Sequence, residues 1–235
     1  MTAPDTTTAA TVRAGWFGKL PALGDFGTRR LPPAMVARCD AWLSAGLATS
    51  RQQLGAHWLD TYLNAPIWRF AWAPGLAGPE GWLGVLMPSV DRVGRYFPLL
   101  LAAPCGLDSL AGLAPQAADA WLDRLAQIAQ GSLDPATRLD DLEAALDALP
   151  LPLPAMPVSL DAADEAGSVG VRAAAGTPLS PLLRALALRQ LLQPTLAQPH
   201  SLWWSGASPD GPSALHRTAD LPAAADFAAL LDGRW

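Results

Sequence analysis

Three short apolar runs follow one another along the chain without a helix between them. They cover 67–72, 82–87 and 97–102, and Gly and Pro interrupt the segments that separate them. Strands joined by such short connections run antiparallel, because a parallel connection needs a crossover of a dozen or more residues. This pattern therefore predicts an antiparallel group of neighbouring strands, around which the rest of the chain has to fold.

Amphipathic helices are predicted on both sides of these strands. Apolar residues recur at the helical period after Pro32-Pro33, again around Trp58 and Tyr62, and from Pro115 to Gly131. Asp134-Pro135 resembles an N-cap followed by a first-turn proline and predicts another helix start. Further strands are predicted at 14–19, 168–173, 200–205 and 213–218, and further helices from Ser180-Pro181 to Leu192 and from Pro222 to Gly233.

Clusters of strands interleaved with helices indicate an α/β protein rather than a regular βαβ repeat. We expect a single compact domain over 14–235, with a mixed or mostly antiparallel sheet and helices packed on both faces, as a layered αβα sandwich. Residues 1–13 are rich in Thr and Ala without any periodicity and are expected to be a disordered tail. The Pro-rich segment 150–157 is expected to be an extended internal connector, the alternative being a docking peptide.

Composition excludes several classes of partner. The net charge is −5 and Lys19 is the only lysine, which argues against binding to nucleic acid. No apolar run approaches the roughly 18 residues of a spanning helix, and the N-terminus lacks signal-peptide features, so no membrane insertion and a cytoplasmic location are expected. Cys39 and Cys105 stand far apart and are expected to be free, buried thiols.

Catalytic and metal-binding patterns are missing from the sequence. Gly18-Lys19 is followed by Leu20 and Pro21 and so does not match a phosphate-binding loop. The three histidines are not at metal-ligand spacing, there is no GxSxG motif, and most acids lie on the polar faces of predicted helices. We therefore expect no enzyme activity, no cofactor and no metal.

One polar loop stands out between two apolar strands. The segment 87–98 reads MPSVDRVGRYFP and contains Asp91, Arg92, Arg95 and Tyr96. Arginine presents a planar fork of donors that suits carboxylates and phosphates, so the loop could face a partner or a ligand. The alternative is an internal clasp, in which Asp91 pairs with Arg92 or Arg95 and stabilises the turn.

A second polar turn, which contains Lys19 and Asp25, is expected beside this loop. Burying an unpaired charge is costly, so two polar turns in an otherwise apolar chain favour a shared site. Lys19, Asp25, Asp91, Arg92, Arg95 and Tyr96 are therefore the candidate functional surface.

The motifs that contain these residues resemble a known family. The matching blocks are GWFGKLPALGDF (15–26), AWLSAGLATSRQQLGAHWLDTYLNAPIWRF (41–70), GVLMPSVDRVGRYFPLLLAAP (84–104), HSLWWSGA (200–207) and LPAAADFAALLDGRW (221–235). They resemble the TagF, or ImpM, family associated with bacterial type VI secretion, and the resemblance is weakest across 105–198.

This resemblance implies a cytoplasmic accessory protein that represses type VI secretion after translation. It also implies a partner, the forkhead-associated (FHA) scaffold protein of the secretion system, and provides no active site. The alternative function is a switch that responds to a small ligand or nucleotide through Lys19 and Arg92 or Arg95. That function requires a concave pocket in which these polar groups converge.

Overall fold

The computed structural model describes residues 12–152, 154, 158–160, 171–173, 179–192, 199–205 and 215–235. Within these ranges the strands are β1 (Gly15–Gly18), β2 (Gly27–Arg29), β3 (Trp68–Trp72), β4 (Trp82–Met87), β5 (Leu99–Pro104), β6 (Val158–Leu160), β7 (Val171–Ala173), β8 (His200–Ser205) and β9 (Leu215–Ala219). The described helices are α1 (Pro33–Leu54), α2 (Trp58–Leu63), α3 (Leu107–Gly112), α4 (Pro115–Gly131), α5 (Leu139–Asp147), α6 (Leu179–Leu192) and α7 (Phe227–Asp232).

Seven strands form one antiparallel sheet in the order β2-β1-β5-β4-β3-β8-β9, and β6 pairs with β7 separately. The three central apolar runs are neighbours, with Trp72 opposite Trp82 and Leu86 opposite Leu100. The antiparallel arrangement predicted from the short connections is therefore confirmed. Strand β8 extends the same sheet by pairing with β3, so strands from both halves of the chain share one sheet.

The two faces of the sheet carry separate apolar layers because successive strand residues point to opposite sides. Phe70, Trp72 and Trp203 pack with α1, α2 and α7 on one face. Ala71 and Leu202 belong to the other layer, with apolar residues of α4 and α5. Helices therefore cover both faces, and the predicted α/β class with its layered arrangement is confirmed.

One predicted helix start is wrong. Asp134-Pro135 lies in a turn, where the carboxylate of Asp134 accepts a hydrogen bond from the backbone N–H of Ala136 at 2.9 Å. Helix α5 begins at Leu139, after Arg138, whose backbone N–H donates to the carboxylate of Asp141 at 2.9 Å. Because Asp141 satisfies this terminal donor, the helix starts later than the first Asp-Pro pair.

Three short elements were not predicted from the sequence, namely β2, β6 and α3. Strand β2 is three residues long and α3 is six residues long, so neither contains enough residues to show a period. Both depend on neighbours. Among the described strands β2 pairs with β1 alone, and the Arg184 side chain of α6 donates to the carbonyls of Ala111 and Leu113 at the end of α3.

The expected tail and connector lie partly outside the described residues, which exclude 1–11, 153 and 155–157. The described parts contact each other. The backbone N–H of Leu151 donates to the carbonyl of Val12 at 2.8 Å, and Arg13 lies 3.3 Å from the carboxylate of Asp147. None of the described helices combines the length and apolarity that a bilayer crossing requires.

Candidate functional site

Two loops meet at one end of the sheet. The first, 19–26, joins β1 to β2, and the second, 88–98, joins β4 to β5; we refer to them together as the loop pair. Asp91 lies between them, with its carboxylate buried. Its Oδ2 atom is 3.1 Å from Nζ of Lys19 and 2.7 Å from Nε of Arg95, so residues of both loops bind the same carboxylate.

The other carboxylate oxygen of Asp91 closes the turn of its own loop. Oδ1 accepts hydrogen bonds from the backbone N–H groups of Val93 at 3.0 Å and Arg95 at 2.9 Å. Burial by itself raises the pKa of Asp91. The hydrogen bonds from Arg95, Lys19 and Val93 outweigh that effect and hold the pKa well below its usual range. Asp91 therefore stays ionised at neutral pH and forms the centre of the loop pair.

Further contacts join the two loops beyond Asp91. The guanidinium of Arg95 donates to the carbonyl of Gly24 at 2.6 Å and lies 3.6 Å from the carboxylate of Asp25. The backbone N–H of Arg92 donates to the carbonyl of Leu23 at 2.8 Å. The prediction that Lys19 and Asp25 lie close to the 91–96 loop is confirmed.

The loop pair is hydrogen-bonded to a buried hydroxyl group on helix α2, that of Tyr62. The hydroxyl of Tyr62 donates to the carbonyl of Ser89 at 2.8 Å and accepts from the N–H of Ser89 at 2.9 Å. The Ser89 hydroxyl in turn donates to the carbonyl of Lys19 at 2.6 Å. Burial raises the pKa of Tyr62, so this hydroxyl stays protonated and can continue to donate. Three separate segments are thus hydrogen-bonded at this end of the sheet.

The outer surface of the loop pair is aromatic and aliphatic. The side chain of Phe26 is 46% exposed, although its ring packs against Phe97, with ring centroids 4.7 Å apart. The Lys19 ammonium lies 4.9 Å from the centre of the same ring. Val93, at the tip of the second loop, is 66% exposed. The side chains of Phe26 and Val93 are therefore exposed to solvent on loops that the ion pairs and hydrogen bonds of Asp91 connect.

A groove of about 210 Å³ adjoins the second loop. Its lining includes Pro88 and Val90 of the loop, Leu63 at the end of α2 and Leu133 after α4. Leu63 is 56% exposed, so the apolar surface continues from the loop pair onto helix α2.

The six candidate residues fall into three groups in the structure. Lys19 and Asp91 were expected at the surface but are buried, because they neutralise each other inside the loop pair. Asp25, Arg92 and Arg95 are exposed. Tyr96 is only partly exposed, and its ring packs against Tyr62 with centroids 5.7 Å apart.

Three exposed apolar residues of this surface were missed among the candidates: Phe26, Leu63 and Val93. Phe26 and Val93 both lie in turn-rich segments beside charged residues, where apolar side chains have no strand or helix period that would direct them into a core. The absence of such a period could have predicted the exposure of Phe26 and Val93. The exposure of Leu63, by contrast, follows only from the tertiary arrangement.

Three observations on the described residues bear on whether chemistry could take place here. Both oxygens of Asp91 are occupied by donors, so this carboxylate is a poor proton acceptor. Within the described ranges, no three His, Cys, Asp or Glu side chains are grouped so that they could hold a metal ion. Burial raises the pKa of the Cys39 and Cys105 thiols to about 12, which disfavours a thiolate nucleophile.

Comparison with known proteins links this site to one family. Residues 15–149, which include the whole loop pair, match the TagF N-terminal domain, described as type VI secretion system-associated. The chain is also similar to PA0076 from Pseudomonas aeruginosa PAO1, known from a crystal structure, with 37% identity, 94% coverage of each chain and a TM-score of 0.74. No curated protein gives a significant match. Because the family match covers more than half of the chain, the protein belongs to the TagF family of type VI secretion system-associated proteins.

Proposed function

We propose that this protein is a cytoplasmic repressor of type VI secretion that acts after translation by binding another protein and has no catalytic activity. The proposed partner is the FHA-domain scaffold of the secretion system, and the proposed contact surface is the exposed face of the loop pair. One observation carries the proposal: Phe26 and Val93 are exposed on loops that the buried Asp91 holds together.

The composition of this surface is typical of a protein-binding site. The exposed large hydrophobic side chains of the described residues are Phe26, Leu59, Leu63, Val93, Leu183 and Leu215, and three of these belong to the loop pair or line the adjoining groove. Arg92, Arg95 and Asp25 provide a charged rim around them. Interfaces commonly combine an apolar centre with a polar rim, and neighbouring exposed apolar groups mark such sites.

The support beneath the surface favours binding energetically. A partner that binds a mobile loop loses free energy in ordering it, whereas a loop already held in one conformation avoids that loss. The second loop is held by the Asp91 carboxylate and by the Tyr62–Ser89 hydrogen bonds. Its exposed Val93 is therefore presented in a fixed position.

The alternative, a switch that responds to a small ligand, has less support. It requires Lys19 and an arginine to be free to bind the ligand, but Lys19 is buried and both Lys19 and Arg95 are bound to Asp91. A ligand would have to displace this carboxylate from two cations and two backbone N–H groups. We therefore do not propose this function.

The proposal is tested with Val93→Glu in the full-length chain. The side chain of Val93 takes no part in the hydrogen bonds to Asp91, which involve only its backbone N–H. Exposed substitutions change stability by about 0.5 kcal/mol or less, so the variant should melt within about 2 °C of the wild type. Affinity for the purified scaffold, measured by titration calorimetry, should fall at least about tenfold, because a charge would be buried against the partner. Leu183→Glu is the matched control, since Leu183 is 55% exposed on α6.

The same variants should differ in their effect on type VI secretion when they are produced in cells that lack their own copy of the protein. Production of the wild type or of Leu183→Glu should reduce type VI secretion, whereas Val93→Glu should not. Unchanged scaffold binding by Val93→Glu would remove the loop pair from the interface. Wild-type protein that neither binds the scaffold nor reduces secretion would overturn the proposed function as a whole.

A further inference from the structure

A second groove, of about 430 Å³, adjoins both loops of the loop pair. Its lining consists of Pro21 and Ala22 of the first loop, Arg92 of the second loop, and residues 135–139, which include Arg138. Two arginines and no carboxylate belong to this lining. The lining therefore presents two guanidinium groups, while acidic residues adjoin it in sequence at Asp134, Asp140 and Asp141.

Arg92 differs from the other cations of the loop pair. Lys19 and Arg95 are bound to Asp91, but the guanidinium of Arg92 has no acidic partner among the described residues. Its position is nevertheless restricted. The backbone N–H donates to Leu23, and the guanidinium lies over Gly24, where an added Cβ would be 3.2 Å from Nη2. The glycine thus leaves space for the arginine side chain along the edge of the groove.

Arg138 lines the same groove from the turn that precedes α5. Its backbone N–H is fixed at the start of α5 by Asp141. Its guanidinium lies 3.7 Å from the carboxylate of Asp140, with 77% and 86% of the two side chains exposed. Exposed pairs of this kind contribute little free energy, so the Asp140 carboxylate can be exchanged for one from a ligand.

We propose that Arg92 and Arg138 bind a carboxylate-bearing segment, rich in Asp or Glu, of a partner protein in this groove. The chemistry rests on charge complementarity, since guanidinium groups bind carboxylates with paired hydrogen bonds. Of the two that line the groove, Arg92 has no acidic partner among the described residues and Arg138 has only the exposed Asp140. That the partner is the type VI scaffold rests on the proposed function above. The groove borders the loop pair, so one partner can contact both.

The test uses full-length wild type, Arg92→Glu, Arg138→Glu and the control Arg124→Glu. Arg124 is an exposed arginine on α4 whose side chain hydrogen-bonds Gln127 at 2.9 Å. Each groove variant should raise the Kd for the purified scaffold about tenfold, mainly through a slower association rate, and should weaken the salt dependence. The control should bind as the wild type does, and all four proteins should have the same melting temperature.

A hexaglutamate peptide separates this inference from the identity of the partner. At low ionic strength the wild type and Arg124→Glu should bind the peptide, and the two groove variants should not. If the wild type binds the peptide but not the scaffold, the groove assignment stands and the proposed partner is wrong. If the scaffold binds all four proteins equally, the groove assignment is overturned while the proposed function remains. Scaffold that loses affinity after phosphatase treatment would show recognition of phosphate and overturn the carboxylate assignment.

Discussion

The ammonium group of Lys19 lies 3.1 Å from the carboxylate of Asp91, although the two residues belong to different loops and both are buried. A buried charge is tolerated only where partners compensate for the lost hydration. Each residue therefore requires the other, and this mutual requirement joins the loop after β1 to the loop after β4. The exposed Phe26 and Val93 owe their fixed positions to this pair.

Lys19→Met tests the structural role of the pair. The methionine retains most of the apolar volume but leaves the Asp91 carboxylate with Arg95 as its only charged partner. Removing one partner of a buried ion pair costs about 3–5 kcal/mol, and we expect about 3 because the backbone N–H groups remain. The melting temperature should fall by about 2–4 °C for each kcal/mol. A variant as stable as the wild type would show that the pair does not hold the loops together.

Acidic pH should weaken the same site. The pKa of Asp91 is lowered in the folded protein from its ordinary value of 3.8. The folded state therefore binds this proton less readily than the unfolded state does. Its contribution to stability is full above the unfolded value and is lost as the pH falls through and below it. Between neutral and acidic pH, the urea concentration at the unfolding midpoint should fall less for Asp91→Asn than for the wild type. Equal decreases in the two proteins would contradict this role of Asp91.

Much of the fold could be predicted because its strands and helices have clear periods. The central strands and α4 show them, and all were placed within about two residues of their observed bounds. The start of α5 was misplaced because Asp134-Pro135 and Arg138 with Asp141 both offer capping signals, and only tertiary contacts decide between them.

The candidate site could be predicted only in part. The residue types left open whether the Asp91 loop faces a partner or forms an internal clasp, and they left Arg92 and Arg95 equivalent as partners of Asp91 in a clasp. The turn places Arg95 on the carboxylate and directs Arg92 over Gly24 into the groove, and this depends on backbone geometry that residue types do not encode locally. The exposure of individual side chains was also hard to predict from residue type, because Lys19 is charged yet buried whereas Val93 is apolar yet exposed.

Alkaline pH should destabilise the protein through its two thiols. Burial raises the pKa of Cys39 and of Cys105 from 9.0 to about 12. The folded state therefore retains these protons while the unfolded state releases them, so the contribution to stability is full below pH 9.0 and is lost as the pH rises towards 12. Urea midpoints at pH 8 and pH 10 should differ less in Cys39→Ala than in the wild type. Rapid reaction of both thiols with a disulfide reagent in the native protein would contradict their burial.

Gly46→Ala should disturb the packing of α7 on α1. A Cβ at Gly46 would lie 2.3 Å from the ring of Phe227, which is closer than real contacts allow. Phe227 is itself almost completely buried, so the ring has little room to move. We expect a loss of about 1–3 kcal/mol in the free energy of unfolding, as in other overpacked cores. Gly131→Ala on α4 is the matched control, because nothing lies within 4 Å of its added Cβ.

The segment that matches the TagF N-terminal domain should not fold by itself. It ends at residue 149, whereas β8 and α7 complete the sheet and one apolar layer. The ring of Trp203 is fully buried, with its centroid 5.4 Å from that of Trp42 and 5.2 Å from that of Phe70.

Without β8, strand β3 would become an exposed edge of the sheet, and the indole of Trp72 would lose its contact with Trp203. A fragment ending at residue 149 should therefore show no cooperative thermal unfolding and should bind an apolar dye. Trp203→Ala in the full-length chain tests the same contact with less disruption, and we expect a loss of about 3–5 kcal/mol. Trp235→Ala serves as a comparison, since Trp235 is only partly buried at the rim of the same cluster and should cost less. A cooperatively folded fragment would instead make the second half an addition to a complete domain.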